Sequence, residues 1–286
     1  MTGGGPLAGR TMLMSGGSRG IGLAIAVRAA RDGANVAILA KTDEPDPRLP
    51  GTVHTAVEEI RAAGGNGLAI VGDVRDAESV AGAVVLTVDT FGGIDLLVNN
   101  ASAIALAPIG AVSMKQYDLM LDINARGTFA LTSAALPHLH RSENAQVLTL
   151  SPPLNLDPVW FGRHAPYTVS KYAMTILTVG LAHQEHPVPL SANCLWPRTT
   201  IATAAVQNIV GGDAAMAVSR KPEIMADAAH AILSRKAGEV TGQTLLDEDV
   251  LRDAGVSDLS AYRYGSAGSD DDLKIDLFLP GGEGDW

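Results

Sequence analysis

A chain of 286 residues, 47% hydrophobic and 18% charged, is long enough for one large α/β domain with a substantial core and is composed like a folded protein. Its formal net charge of −10, from 31 acids against 21 Lys and Arg, repels phosphate backbones and argues against general nucleic-acid binding, while leaving room for a local basic pocket. The single cysteine, Cys194, excludes an internal disulfide, and its apolar setting in LSANCLWP suits a buried, inert thiol.

The N-terminal MTGGGPLAGR has no apolar h-region, and no stretch approaches a membrane span. The chain is therefore expected to be cytoplasmic, without integral membrane association. The 7 histidines form no tight cluster with Cys or acids, so no metal is expected.

In chain order, short apolar runs alternate with helical patterns. TMLMS, from Thr11 to Ser15, reads as a buried strand, and IGLAIAVRAARDG as a helix stopped by Gly33. ANVAILA is a second strand, ending at Ala40; the loop DEPDPRLPG follows, where three prolines continue neither element. TVHTAVEEIRAAGG is helical, GLAIVGDV a strand, and DAESVAGAVVLTVDTFGG a helix with Asp76 at its cap. IDLLVNNAS is a fourth strand. Ser113 is placed to cap MKQYDLMLDINARGTFALTSAAL, read as one helix ending near Pro137. AQVLTLS is a fifth strand, and a helix runs from near Ala165 to about His186. PLSANCLW, a helix around Pro222 to Ser234, and the strand GQTLLD complete the set.

Parallel strands need crossover connections, which helices supply, so the alternation predicts a doubly wound parallel α/β sheet of about seven strands with helices on both faces. The chain reads as a single Rossmann-like domain over 1–286, with an acidic extension at 258–286. That extension is expected to be partly extended and to pack on a neighbouring subunit.

Ligands of such sheets bind beyond the carboxyl ends of the strands. The first strand is followed by SGGSRGIG, in which Gly16, Gly20 and Gly22 let the backbone turn tightly against a diphosphate and Ser18, Arg19 and Ile21 stand between them. A carboxylate after the second strand would select NAD; Ala40, Lys41 and Thr42 stand there instead. Arg19 and Lys41 are both able to pair with the extra phosphate of NADP(H), the alternative being two solvated surface cations.

After the third strand Asp73 is a candidate acceptor for the adenine amino group, with Val74 beside it. Asn99, Asn100, Ala101 and Ser102 follow the fourth strand, where asparagines also stabilise turns. After the fifth, Tyr167 and Lys171 share one helix face, and a nearby ammonium lowers the pKa of a phenol from its usual value of about 10. A surface helix pair is the plainer reading of any isolated YxxxK.

SGGSRGIG, GDV, NNAS, DINARG and YTVSK, in that order over roughly 10–250, resemble the short-chain dehydrogenase/reductase family. The resemblance implies a nicotinamide cofactor, Tyr167 as acid/base, and Lys171 as a ribose ligand that activates the tyrosine. It also implies that Asn124 helps to hold a proton-relay water, that Pro197 and Thr200 border the cofactor, and that the chain forms a homodimer or homotetramer. AKT, SPPLNLDPVWF, LWPRTTIATAA and TGQTLLDEDVL resemble one branch of the family more closely. Longer members of that branch carry a C-terminal sterol-carrier domain and a peroxisomal address. Only their dehydrogenase part is expected here, since this chain leaves no length for the added domain and reads GEGDW at its end.

Three departures stand out. The serine expected near the fifth strand is Leu154 when counted back from the tyrosine, or Pro152 when aligned by the strand. Its role on the substrate oxygen is lost, moved to Ser151, or taken by a donor such as Asn155. Arg198 replaces the usual glycine after Pro197, bringing a large cation towards the nicotinamide, and Ser102 replaces another glycine.

The leading expectation is an NADP(H)-dependent oxidoreductase acting on an apolar carbonyl or alcohol. The segment RTTIATAAVQNIVGGDAAMAV would cover the substrate, with Leu154, Leu156, Trp160 and Phe161 lending it a lipid-like, steroid or fatty-acyl character. Those residues equally suit a core or a subunit interface. The second expectation is an NADP(H)-binding regulator or scaffold with little turnover, motivated by the absent serine and by Arg198.

Overall fold

The structure is a computed structural model that describes residues 4–46, 49, 51–185, 190–265 and 268–283. The N-terminal half runs β1 (Thr11–Ser15), α1 (Gly20–Arg31), β2 (Asn35–Ala40), α2 (Val53–Ala62), β3 (Asn66–Val71), α3 (Ala77–Phe91) and β4 (Leu96–Asn99). It continues with α4 (Met114–Met120), α5 (Gly127–Leu139), β5 (Ala145–Thr149) and α6 (Pro158–Gln184). The last elements are β6 (Leu190–Trp196), α7 (Gly212–Ala217), α8 (Glu223–Leu233), β7 (Thr244–Leu246) and α9 (Asp247–Asp253).

The strands form one parallel sheet in the order β3-β2-β1-β4-β5-β6-β7. Both faces are covered, which is why the strands read as unbroken apolar runs. Side chains alternate across the sheet: Met12 and Met14 of β1 enter the core beneath α1 and α8, while Leu13 enters the opposite core beneath α3 and α5. This is the expected doubly wound, Rossmann-like α/β fold. Chain order reverses between β1 and β4, so the crevice lies where the loops after these two strands diverge.

Local signals account for most boundaries. Gly33, just beyond α1, has φ of +93°. Asp76 caps α3 by accepting from the Ser79 amide at 3.1 Å, and Ser113 caps α4 through a reciprocal pair with Gln116. The helix expected to run unbroken from Met114 contains a π-helical segment, Leu121–Arg126, and passes Pro137 to end at Leu139.

α6 begins at Pro158, earlier than expected, with Asp157 as its cap, and kinks at His164 (φ −140°, ψ 34°) ahead of Pro166. The part beyond the kink is the helix anticipated from Ala165; its expected end at His186 lies outside the described residues. The Pro-rich loop holds an Asp46–Leu49 bridge, and Pro47, Arg48 and Pro50 are likewise outside them. The helix α9 was not anticipated, although the acids Asp247, Glu248 and Asp249 in its first turn match the helix dipole.

The described residues of the C-terminal segment fold back onto the loop that follows β6 in their own chain. The Thr200 amide donates to the Lys274 carbonyl at 2.9 Å and the Asp276 amide to the Arg198 carbonyl at 3.0 Å. Leu273, Leu277, Phe278 and Leu279 are buried. The reason is apolar: an LFLP run inside an acidic tail finds an aromatic pocket on its own chain.

At the switch point Gly16 has φ of +74°, and a Cβ there would stand 2.8 Å from the Ala101 Cα. Gly16→Ala is expected to cost roughly 1 kcal/mol or more, because strain and backbone overlap act together. A urea midpoint unchanged from wild type would contradict this account of the loop.

Candidate active site

The loops after β1 and β4 are tied together. The Asn100 side-chain amide donates to the Gly16 carbonyl at 2.7 Å and the Ser15 carbonyl at 3.2 Å, while the Ser15 hydroxyl accepts from the Asn100 and Ala101 amides at 3.2 Å each. A Cβ on Gly22 would lie 2.5 Å from the Asn100 side-chain nitrogen, so only glycine fits beneath this bridge. α1 starts at Gly20 (φ +57°) without a side-chain cap, leaving its first amides for a ligand.

Above them opens a cleft of ≈1210 Å³. It is lined by Gly16, Ser18, Arg19, Gly20, Ile21 and Gly22 at one side and by Lys41, Asp73, Val74, Asn100 and Ala101 at the next. Tyr167, Lys171, Pro197 and Thr200 close it. Of the predicted site residues, Asn124 and Ser151 do not line it.

The glycine cradle and the open helix start fit a dinucleotide diphosphate. At the far end β2 stops without a carboxylate facing the cleft. Arg19 reaches the Thr42 hydroxyl at 3.1 Å and the Gly51 carbonyl at 2.8 Å, and Lys41 pairs with Asp73 at 3.3 Å. Asp73 itself accepts from the Arg75 guanidinium through two oxygens, at 2.7 Å on Oδ2 and 3.1 Å on Oδ1, and Arg75 first, then Lys41, hold its carboxyl down at about 2. The acid anticipated for adenine therefore already acts as the anchor of two cations.

Tyr167 and Lys171 stand on the buried face of α6, beyond its kink. Lys171 Nζ donates to the Leu150 carbonyl at 2.5 Å and lies 5.1 Å from the Trp196 ring centroid. Burial pushes its pKa down to about 7, against opposing pulls from Cys194 and Asp276. Burial, followed by the charge of Asp276, pushes the Tyr167 phenol well above its ordinary range, and a hydrogen bond from Ser102 opposes them. The Lys171 ammonium is directed at Leu150 and Trp196, and Asp276 and Ser102 are the groups that act on the phenol besides burial.

Asn124 sits in the π-helical segment, fully buried. Its side chain accepts from the Ala103 amide at 2.7 Å and donates to the Ala103 carbonyl and the Ser170 hydroxyl, each at 2.9 Å. It clamps the post-β4 loop to α6, a placement common for π-bulges near functional sites.

Several expectations are corrected. Ser151 is fully buried with its hydroxyl facing the Cys194 thiol, which burial pushes up, so it does not reach a substrate oxygen. The Pro152 carbonyl accepts from the Thr175 hydroxyl at 2.7 Å, and the Asn155 side chain donates to the Phe278 carbonyl at 2.9 Å; neither supplies a donor to the cleft. Arg198 does not enter the nicotinamide side. It turns to Asp249 at 2.5 Å and Glu248 at 3.7 Å, acids of the unforeseen helix α9.

Trp160 is buried in the aromatic cluster, and Leu154, Leu156 and Phe161 remain on the surface away from the cleft. The apolar walls come instead from Ile104, Leu106, Val206, Ile209, Met216 and Leu277. Five of these lie in or near segments already suspected.

Sequence reasoning missed the C-terminal contribution. Asp276 and Leu277 line the cleft, and Phe278 packs its ring 6.1 Å from that of Tyr167. The only local signal was the apolar Leu277-Phe278-Leu279 run. Among the described residues no group of three His, Cys, Asp or Glu is disposed to hold a metal ion, and no helix is long and apolar enough to cross a membrane.

A family model described as short chain dehydrogenase matches residues 10–213. The hydroxysteroid dehydrogenase-like protein 2 of Xenopus tropicalis is 50% identical over 258 residues, covering 90% of this chain but 61% of that protein, so the chain spans about three fifths of such relatives. A putative dehydrogenase from Xanthomonas campestris superposes with a TM-score of 0.90 at 52% identity, over 96% of this chain and 98% of that one. More distantly, a short chain dehydrogenase from Burkholderia cenocepacia in complex with NADP has 28% identity and a TM-score of 0.71 over 84% of this chain and 97% of that one. One from Mycobacterium paratuberculosis bound to NAD, at 22% identity and a TM-score of 0.71 over 85% and 97%, shares the fold alone. With its sheet order, its glycine cradle and its Tyr167–Lys171 pair in one cleft, this chain belongs to the short-chain dehydrogenase/reductase family of oxidoreductases.

Proposed function

We propose that the protein interconverts a carbonyl and an alcohol on an apolar, steroid-like or fatty-acyl substrate, using NADP(H). The observation that carries this reading is the meeting of Tyr167 and Lys171 with the glycine cradle in a single cleft. When bound, NADPH supplies the hydride that reduces the carbonyl carbon. Tyr167, kept protonated by burial and Asp276, gives its phenolic proton to the carbonyl oxygen, and the alcohol results. The reverse reaction returns the proton to Tyr167.

Lys171 is the binding group for the ribose hydroxyls, and Asn124 holds the loop and helix that frame the reacting carbon. Residues Gly16, Ser18, Gly20, Ile21 and Gly22 seat the diphosphate; Val74, Asn100, Ala101, Pro197 and Thr200 enclose the rest. Arg19 and Lys41 meet the 2′-phosphate. Apolar walls from Ile104, Leu106, Val206 and Leu277 favour a lipid-like substrate over a polar one.

The chain is read as one dehydrogenase unit onto which 258–286 folds, working in the cytoplasm with Cys194 reduced. Phe129, Val169, Ile176 and Leu177 form an exposed apolar surface on α5 and α6, suited to a second copy and so to a homodimer or homotetramer. The reading as a regulator with little turnover keeps only Pro152 in its favour, because Arg198 turns away from the cleft.

Cofactor choice is tested by quenching of protein fluorescence. NADPH is expected to bind more tightly than NADH, and Lys41→Ala to weaken NADPH roughly tenfold while leaving NADH unchanged. Equal binding of the two would remove the NADP reading. For the chemistry, Tyr167→Phe is expected to lower carbonyl reduction by roughly 10²–10⁴-fold at unaltered NADPH affinity. Equal rates in mutant and wild type across a carbonyl panel would sink the enzyme reading.

A further inference from the structure

The family resemblance asks for a hydroxyl on the substrate oxygen beside the tyrosine, and this chain has Pro152 at that place when aligned by β5, or Leu154 when counted back from Tyr167, neither of which carries one. Ser151 points into the core and Asn155 serves the tail. The cleft nevertheless holds an unassigned polar group next to Tyr167 and Lys171. It is Asp276, on the C-terminal segment.

Its position is over-determined. The Asp276 amide bonds the Arg198 carbonyl at 3.0 Å, and Trp196 Nε1 donates to the Leu277 carbonyl at 3.1 Å. Phe278 is buried among Trp160, Tyr167, Tyr172 and Trp196, with centroids 5.3–6.1 Å apart. It takes φ of +70°, a left-handed conformation that a bulky residue adopts only when its surroundings enforce it. That turn directs the preceding residues into the cleft. One Asp276 oxygen accepts from the Leu277 amide at 2.6 Å. Among the described residues the other forms no hydrogen bond, and Asp276 lines the cleft.

We propose that Asp276 is the second hydrogen-bonding group on the reacting oxygen, taking the place that Pro152 leaves without a hydroxyl. The proposal rests on the carbonyl–alcohol reading above. The charge of Asp276 acts on Lys171 and Tyr167 of α6, Asp247 of α9 and Lys274 of its own segment. Burial, with Asp247 adding to it and Lys274 and Lys171 opposing, lifts its carboxyl to about 7. Below that pH it is a neutral acid that donates to the substrate oxygen while Tyr167 transfers its proton. Asp276 keeps its own proton throughout, so the balance remains hydride plus the Tyr167 proton. Above that pH the carboxylate faces the developing alkoxide and opposes reduction.

The test compares Asp276→Asn, Asp276→Ala and Ser102→Gly with wild type. kcat/KM for reduction is measured from about pH 6 to about pH 9, with NADPH affinity and melting temperature alongside. Asparagine donates at every pH, so the ratio of Asp276→Asn to wild type is expected to rise at least roughly tenfold across the range. Lys171 acts in the opposite sense, because loss of the Asp276 charge lowers its pKa and would make the ratio fall. Asp276→Ala is expected to lose roughly 10²-fold at unchanged NADPH affinity.

A flat or falling ratio overturns the proposal, as does equal loss in both Asp276 variants with a collapsed melting temperature. So does a rate lost in Ser102→Gly but kept in Asp276→Ala. A readout independent of turnover is the NMR titration of the Lys171 ammonium, identified by its loss in Lys171→Ala, because burial lowers the pKa of this group to about 7 and Asp276 opposes that fall. It is expected to titrate at lower pH in Asp276→Asn. An unshifted titration refutes the placement even if no carbonyl is reduced, whereas a shifted one with no turnover retains the placement and refutes the carbonyl–alcohol reading.

Discussion

The cleft depends on how closely two backbones approach at the end of β1. Gly16 lies against Ala101, and Asn100 spans the gap to the Gly16 and Ser15 carbonyls. That contact exists because β1 and β4 are paired with Ser15 beside Asn99, before the reversal of strand order sends their following loops to opposite sides. Side chains at Gly16 or Gly22 would separate the loops and close the cradle. The uncapped start of α1, the path of the Ser102–Ile104 segment and its anchorage to Asn124 all follow from this approach.

Electrostatics then divides the cleft. At the β2 end Arg75 and Lys41 converge on Asp73 and hold it ionised, so a partly exposed charge network stands there. At the α6 end the charges are buried. Lys171 is pushed towards neutrality and Tyr167 towards its protonated form, because desolvation disfavours each ion. The C-terminal segment adds Asp276 to this buried set and shields it with Phe278. A tail that looks like a solvated acidic extension is therefore part of the centre's dielectric environment.

The replacement of serine by proline acquires a structural meaning in this setting. Proline after β5 has no donor, and its carbonyl is taken by Thr175 of α6. The loop that in sequence looked like a wall of the substrate site is held against the helix and the tail instead. Arg198, which looked like an intrusion, is drawn outward by Asp249 and Glu248 of α9. Ion pairing with a helix that the strand reading had concealed decided the direction of that side chain.

What the sequence by itself determined is the periodic part: seven apolar runs, their alternation with amphipathic helices, the caps at Asp76 and Ser113, and the glycine and YxxxK motifs. These are local patterns whose meaning survives without knowledge of distant residues. The tertiary structure alone decided the rest. It turned Ser151 inward, widened the Met114–Leu139 helix into a π-helical segment around Asn124, sent Arg198 to α9 and brought Asp276 and Phe278 to Tyr167. Each of these depends on contacts between residues far apart in the chain, where burial and pairing override local propensity and no local spacing carries the information.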